Sequence, residues 1–182
     1  MILTIIVLLL ILLVTLLPYI TRGVRRTAFI CRLRRICRLK KYKIRTANIF
    51  CLLFANLSRT YDLTVDTGRK LYAIKLWDEF YRNTNLIFND SHCVLRRKKV
   101  SEVFGKDGKM SHSVYEKILG RLSLSPCENN GGRQEYHIFL FSGRDVSLYH
   151  HNGKAMDRIS YGDKLYGMTV AKYKSFLLEM EK

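Results

Sequence analysis

Asp62 and Lys75 stand in the stretch YDLTVDTGRKLYAIKLW, residues 61–77. Its alternation predicts two short strands around a glycine turn. A carboxylate and an ammonium on one face of such a hairpin can do chemistry. The acid offers a hard oxygen to magnesium, and the ammonium steadies negative charge developing on a phosphate. They can equally form a cross-strand ion pair, worth under roughly 1 kcal/mol at an exposed site. Register decides which side chains meet. With Thr67-Gly68 as a two-residue turn, Asp66 pairs with Arg69, Leu63 faces Tyr72 and Asp62 faces Ala73. Tyr61, Leu63, Val65, Tyr72, Ile74 and Leu76 then give one face that is largely apolar. Asp62 and Lys75 share the other, diagonal to each other.

The elements around the hairpin extend the pattern. Phe29, Leu33, Ile36 and Cys37 recur at three- and four-residue steps among arginines, which predicts an amphipathic helix lying on a bilayer or packing on the domain. A short strand is expected at 42–45 and a buried apolar helix at 47–57. A helix, a short strand, YDLTV and YAIK in this order resemble the PD-(D/E)XK superfamily, the restriction-endonuclease-like fold. The resemblance covers residues 25–77, and YHIFLF at 136–141 with the closing helix would complete it. It implies Asp62 as the first metal-binding acid and Lys75 as the catalytic lysine of a magnesium-dependent nuclease. Ala73 occupies the place of the second acid, and one carboxylate holds magnesium poorly. Glu79 or Asp78 just after the strand is the candidate displaced acid, and Asp66 could contribute from the turn.

Farther along, LIF and HCVLRR around Asn89-Asp90-Ser91 predict a second strand pair, with Arg96-Arg97-Lys98-Lys99 guarding an edge. Residues 105–108 (GKDG) and 125–133 (SPCENNGGR) read as loops, 113–122 as a helix, 136–141 and 145–150 as strands, and Asn152-Gly153 as a turn. ISYGDKLYG, at 159–167, bends at its glycines. Val170, Tyr173, Leu177 and Met180 form the stripe of a closing helix capped by Thr169. The fold class expected is α+β or α/β, a small mixed sheet with flanking helices.

The first 21 residues, uncharged and almost wholly apolar, are long enough to cross a bilayer as a helix of about 30 Å. A signal peptide would carry its basic residues before the run and a small-residue cleavage site after it. Here the order is reversed, which favours a retained anchor. Residues 22–45 hold eleven of the cations: Arg22, Arg25, Arg26, Arg32, Arg34, Arg35, Arg38, Lys40, Lys41, Lys43 and Arg45. They carry +11 of the net +17, and no acid precedes Asp62. Such a flank stays on the cytoplasmic side, so the N-terminus is expected outside and a domain of residues 46–182 inside. The arginines at 22, 25, 26, 32, 34, 35 and 38 are expected to face anionic lipid, at about 1 kcal/mol each close to the surface.

Five scattered cysteines without a CxxC pair exclude a zinc site by spacing and suit a reducing compartment. Cys31 and Cys37 could carry palmitoyl groups, although buried thiols are commoner. The five histidines show no ligand spacing, and no glycine loop is followed by GK[ST]. Trp77, Phe80 and Tyr81 beside Arg82 could stack bases, though aromatics after a strand more often close a core. Three readings follow. The first is a membrane-anchored nuclease-like module with an incomplete site, binding a protein partner or nucleic acid. The second is an active magnesium nuclease using a relocated acid. The third is a structural membrane protein with a lipid-binding stalk. No cofactor motif is visible, and magnesium belongs only to the second.

Overall fold

The computed structural model describes residues 2–46, 61–78, 84–89, 92–104, 110–120, 133–142, 146–151 and 155–182. Helix α1 (Ile2–Leu39) is unbroken. From Leu3 to Ile20 nearly every side chain is exposed, and an 18-residue window reaches a mean hydropathy of 2.9 with none of it buried. Thr15 and Thr21 turn their hydroxyls back onto the carbonyls of Leu12 and Leu17, at 2.8 and 2.9 Å, so both hydroxyls are satisfied within the helix itself. Among the described residues one helix is therefore long and apolar enough to cross a membrane.

Gly23 and Arg26 are already buried, followed by Phe29, Ile30, Leu33, Ile36 and Cys37. The amphipathic half of α1 is thus part of the domain core. The folded unit begins near Gly23, earlier than the boundary expected at residue 46. The helix ends in a Schellman turn: Lys41 takes φ +58°, Tyr42 N–H donates to Cys37 O at 2.8 Å, and Lys41 N–H donates to Arg38 O at 3.3 Å.

Two sheets follow. The first has six strands in the order β1 (Lys43–Thr46), β2 (Leu63–Asp66), β3 (Lys70–Trp77), β7 (Gln134–Phe141), β11 (Met168–Lys172), β10 (Lys164–Leu165). Strand β2 runs antiparallel to both neighbours, while β3, β7 and β11 are parallel. The second has five: β6 (Met110–Ile118), β5 (Cys93–Phe104), β4 (Thr84–Phe88), β8 (Val146–His151), β9 (Met156–Ile159). Helix α2 (Tyr173–Glu181) closes the chain.

Alternation along the strands builds three layers. Leu63, Val65, Tyr72, Ile74, Leu76, Ile138 and Leu140 meet α1 and α2 on one face of the six-stranded sheet. Trp77, Phe139, Phe141, Leu165, Met168 and Val170 meet Leu86, Phe88, Cys93, Leu95 and Leu148 of the other sheet on the opposite face. The architecture is mixed α+β behind a long apolar helix.

Several expectations change. The helix expected at 113–122 is strand β6 through Ile118, paired along β5 with Arg96 opposite Glu116. Long-range ladder bonds outweigh the local preference. Strand β5 lies between β4 and β6, so Arg96–Lys99 guard no edge. The closing helix starts at Tyr173, because residues 169–172 pair with β7. Its N-cap position is Lys172, which makes no side-chain capping bond, and Thr169 lies within β11. Tyr173, Phe176 and Met180 are its buried stripe. The strand pair expected around residues 89–91 forms between β4 and β5, and the bend expected at 159–167 includes a tight hairpin of β10 and β11 through Tyr166-Gly167, both at positive φ. The expectations at 47–57, 105–108, 125–132 and 152–153 fall outside the described residues.

Candidate functional site

The hairpin turns one residue later than expected. Thr67 N–H donates to Lys70 O at 3.0 Å, leaving Gly68-Arg69 as the two-residue turn, with Gly68 at φ +85°. Asp66 Oδ1 accepts the Gly68 N–H at 2.8 Å, and Asp66 Oδ2 lies 3.2 Å from Arg133. Asp66 is therefore committed to the turn. Leu63 pairs with Ile74 and Thr64 with Ala73, two positions away from the expected register. A shift of two preserves the faces. Asp62 and Lys75 therefore still share a face, now directly across from each other instead of diagonal.

The pair is deeply buried, at 4% and 1% exposure, on the face turned toward the second sheet. Lys75 Nζ lies 3.6 Å from Asp62 Oδ1, and Asp62 Oδ2 accepts the backbone N–H of Leu76 at 2.8 Å. Strand β2 begins only at Leu63, so the Asp62 side chain satisfies the next β3 amide where the backbone ladder stops. Both carboxylate oxygens are engaged.

Asp78 goes elsewhere. Parity along β3 puts Leu76 and the residue two beyond it on the helix side, opposite Lys75. Asp78 is fully buried there, and its Oδ2 accepts bonds from Arg26 Nε and from the Tyr173 hydroxyl, both at 2.9 Å. Burial, then the adjacent Asp78 carboxylate, pushes the Tyr173 phenol well above its usual 10, against the opposing pull of Arg26. Arg26, expected to face lipid with its neighbours, is instead 1% exposed and ties α1 to the end of β3. Arg22 and Arg25 are half-buried, while Arg32, Arg34, Arg35 and Arg38 are exposed. Glu79 falls outside the described residues. Trp77 is buried between the sheets, so it closes a core and offers no face for stacking.

Three residues whose sequence positions assign them no shared chemistry meet beside Ala73. In the sheet, Ala73 stands between Thr64 of β2 and His137 of β7 and is fully buried. The Tyr61 hydroxyl hydrogen-bonds His137 Nδ1, and His137 Nε2 lies 3.5 Å from Glu135 Oε1. A carboxylate on that side favours the proton on Nε2, leaving Nδ1 to accept from the tyrosine. An imidazole held between a hydroxyl and a carboxylate can move a proton. The position that the family resemblance reserves for an acid therefore adjoins a histidine on the next strand. Only the parallel β3–β7 pairing reveals this, and no local pattern encodes it.

A magnesium ion beside Lys75 would have to draw on this donor set. Asp62 has both oxygens occupied, Ala73 offers none, and Asp78 faces the other side of the sheet. Among the described residues no three His, Cys, Asp or Glu side chains gather where a metal ion could sit. The described residues do not fit a two-carboxylate metal centre. No protein-family model, curated protein or solved structure matches this chain.

Proposed function

We propose that this is a single-pass membrane protein whose domain faces the cytosol, follows a restriction-endonuclease-like plan, and works as a binding or accessory module without metal-dependent cleavage. The order of elements supports the plan: the amphipathic half of α1, the short strand β1, the aspartate strand, the lysine strand, β7 alongside it and α2 at the end. One observation carries the loss of cleavage. Lys75 neutralises Asp62 across the hairpin, Asp66 on the same face is held by the turn and Arg133, and the nearest following acid, Asp78, is bound to Arg26 and Tyr173 behind the sheet.

The test uses the full chain in lipid nanodiscs with end-labelled DNA and RNA, single- and double-stranded, in magnesium or manganese. No cleavage that depends on Lys75 is expected. Metal-dependent cleavage lost in both Lys75→Met and Glu79→Gln would overturn this reading and establish a nuclease with a relocated acid.

Orientation rests on the basic flank. Cys31 is exposed just past the apolar run. A membrane-impermeant maleimide should leave intact cells unlabelled and label the protein after permeabilisation. Labelling of intact cells would place the domain outside. Arg22 and Arg25, within roughly 6 Å of helical rise from Thr21, are the cations placed to meet anionic head groups.

A further inference from the structure

α1 and α2 lie side by side and leave a groove of about 620 Å³ between them. Leucine and isoleucine side chains line it: Leu39 is 77% exposed and Leu178 51%, and Ile36 and Leu177 join them. Arg32, Arg35, Lys40 and Lys174 surround it, against one acid, Glu181. Exposed leucines framed by four cations are not explained by the packing of the described residues.

We infer that this groove is a docking site for an acidic amphipathic helix of a cytosolic protein partner. The inference rests on the membrane-anchored, cytosol-facing reading and names the partner class for it. The apolar lining calls for aliphatic anchors at helical spacing, the helix-in-groove mode of recognition. The rim calls for carboxylates flanking them. Arg32 to Leu39 spans roughly 11 Å of α1, enough to seat two turns of a partner helix.

Other occupants fit less well. The unbroken helix carries Arg32 roughly 16 Å and Leu39 roughly 27 Å beyond Thr21, while surface charge is screened over about 8 Å. Lipid head groups therefore stop short of the groove. A second copy would bring another +17 of charge against the same cations. Among the described residues the groove lining contains no aromatic side chain, the platform that single-stranded nucleic acid stacks upon.

The full-length protein in zwitterionic nanodiscs is titrated against a fluorescein-labelled peptide of about fourteen residues, four turns, with Leu on one helical stripe and Glu elsewhere. Its anisotropy should rise saturably. Affinity should fall about tenfold in Leu178→Ser and in Arg35→Glu, both at exposed positions that leave the fold intact, as loss of a groove anchor does. A peptide of the same composition with the stripe scrambled should bind about tenfold more weakly as well. Equal binding of the two peptides, or indifference to Leu178→Ser, would reduce the effect to diffuse charge attraction and overturn the site. Displacement of the peptide by anionic lipid added to the nanodisc, by an oligonucleotide, or by self-association of the protein would assign the groove to that occupant and equally overturn the inference. Maleimide labelling reads orientation separately. A domain found outside would retire the cytosolic reading without deciding whether the groove binds the peptide.

Discussion

Arg26 and Asp78 pair in the interior, and such a pair responds asymmetrically to mutation. Removing one partner leaves an uncompensated buried charge, which costs several kcal/mol, whereas the intact pair contributes modestly to net stability. Arg26→Ala should therefore destabilise the domain by about 3–5 kcal/mol, lowering Tm by about 6 to 20 °C for a chain of this size. Tyr173→Phe removes one hydrogen bond from the same carboxylate and should cost about 1 kcal/mol. Thermal unfolding of the full chain in detergent, followed by near-ultraviolet circular dichroism, ranks the two. Equal effects would mean that Arg26 does not hold Asp78. Cys93 makes a second prediction at this scale. Burial between the sheets pushes its thiol from 9.0 up to about 12, so the folded state holds that proton more tightly than the unfolded chain does. That contribution is fully present below about pH 9 and is lost as pH rises toward 12. The stability gap between the native protein and Cys93→Ala should therefore narrow as denaturation is repeated from pH 9 upward. A gap independent of pH would count against a protonated, buried thiol.

At the scale of elements, sequence was informative where the determining contacts are local. The face shared by Asp62 and Lys75 was legible because a two-position register shift leaves every side chain on its side of the hairpin. The exact turn was not, because Thr67-Gly68 and Gly68-Arg69 both offer a glycine. Gly68 settles it at φ +85° as the first central residue of the turn, and a Cβ built there would have nothing within 4 Å. Gly68→Ala should therefore cost about 1 kcal/mol from backbone conformation alone, read as a lowered denaturation midpoint with unchanged m-value. A stability change near zero would place the turn elsewhere. Strand β6 and the late start of α2 were hidden for the opposite reason. Their states are set by ladders with β5 and β7 rather than by their own residues. The buried node was hidden too, since Arg26 and Tyr173 reach Asp78 across 52 and 95 residues of chain. Arg26 reads as one more cation of a basic flank until Asp78 is placed beside it.

For the whole molecule, the consequence is that anchor and domain share one helix. Phe29, Ile30, Leu33, Ile36 and Cys37 are core residues, with the Phe29 ring stacked on Tyr173 at 4.4 Å between centroids. No linker separates the membrane span from the first buried turn near Gly23, so the domain's attitude to the bilayer is set by α1 itself. Arg26 near the start of the buried segment meets Asp78 at the C-terminal end of β3, so that end of the sheet lies toward the apolar run of α1. A fragment of residues 22–182 should therefore fold without the span and melt cooperatively. A fragment beginning at residue 41, although it keeps every strand and the Asp62–Lys75 hairpin, should not. Deleting those five side chains exposes the helix-side face of β2, β3 and β7, and single truncations of comparable core residues already cost about 2–5 kcal/mol each against a domain stability of about 5–15 kcal/mol. Gel filtration and near-ultraviolet circular dichroism of the two fragments decide the matter. If the fragment from residue 41 is monomeric with native side-chain signals, then α1 is an attached tether and its orientation carries no information about where the groove or the buried hairpin lies relative to the membrane.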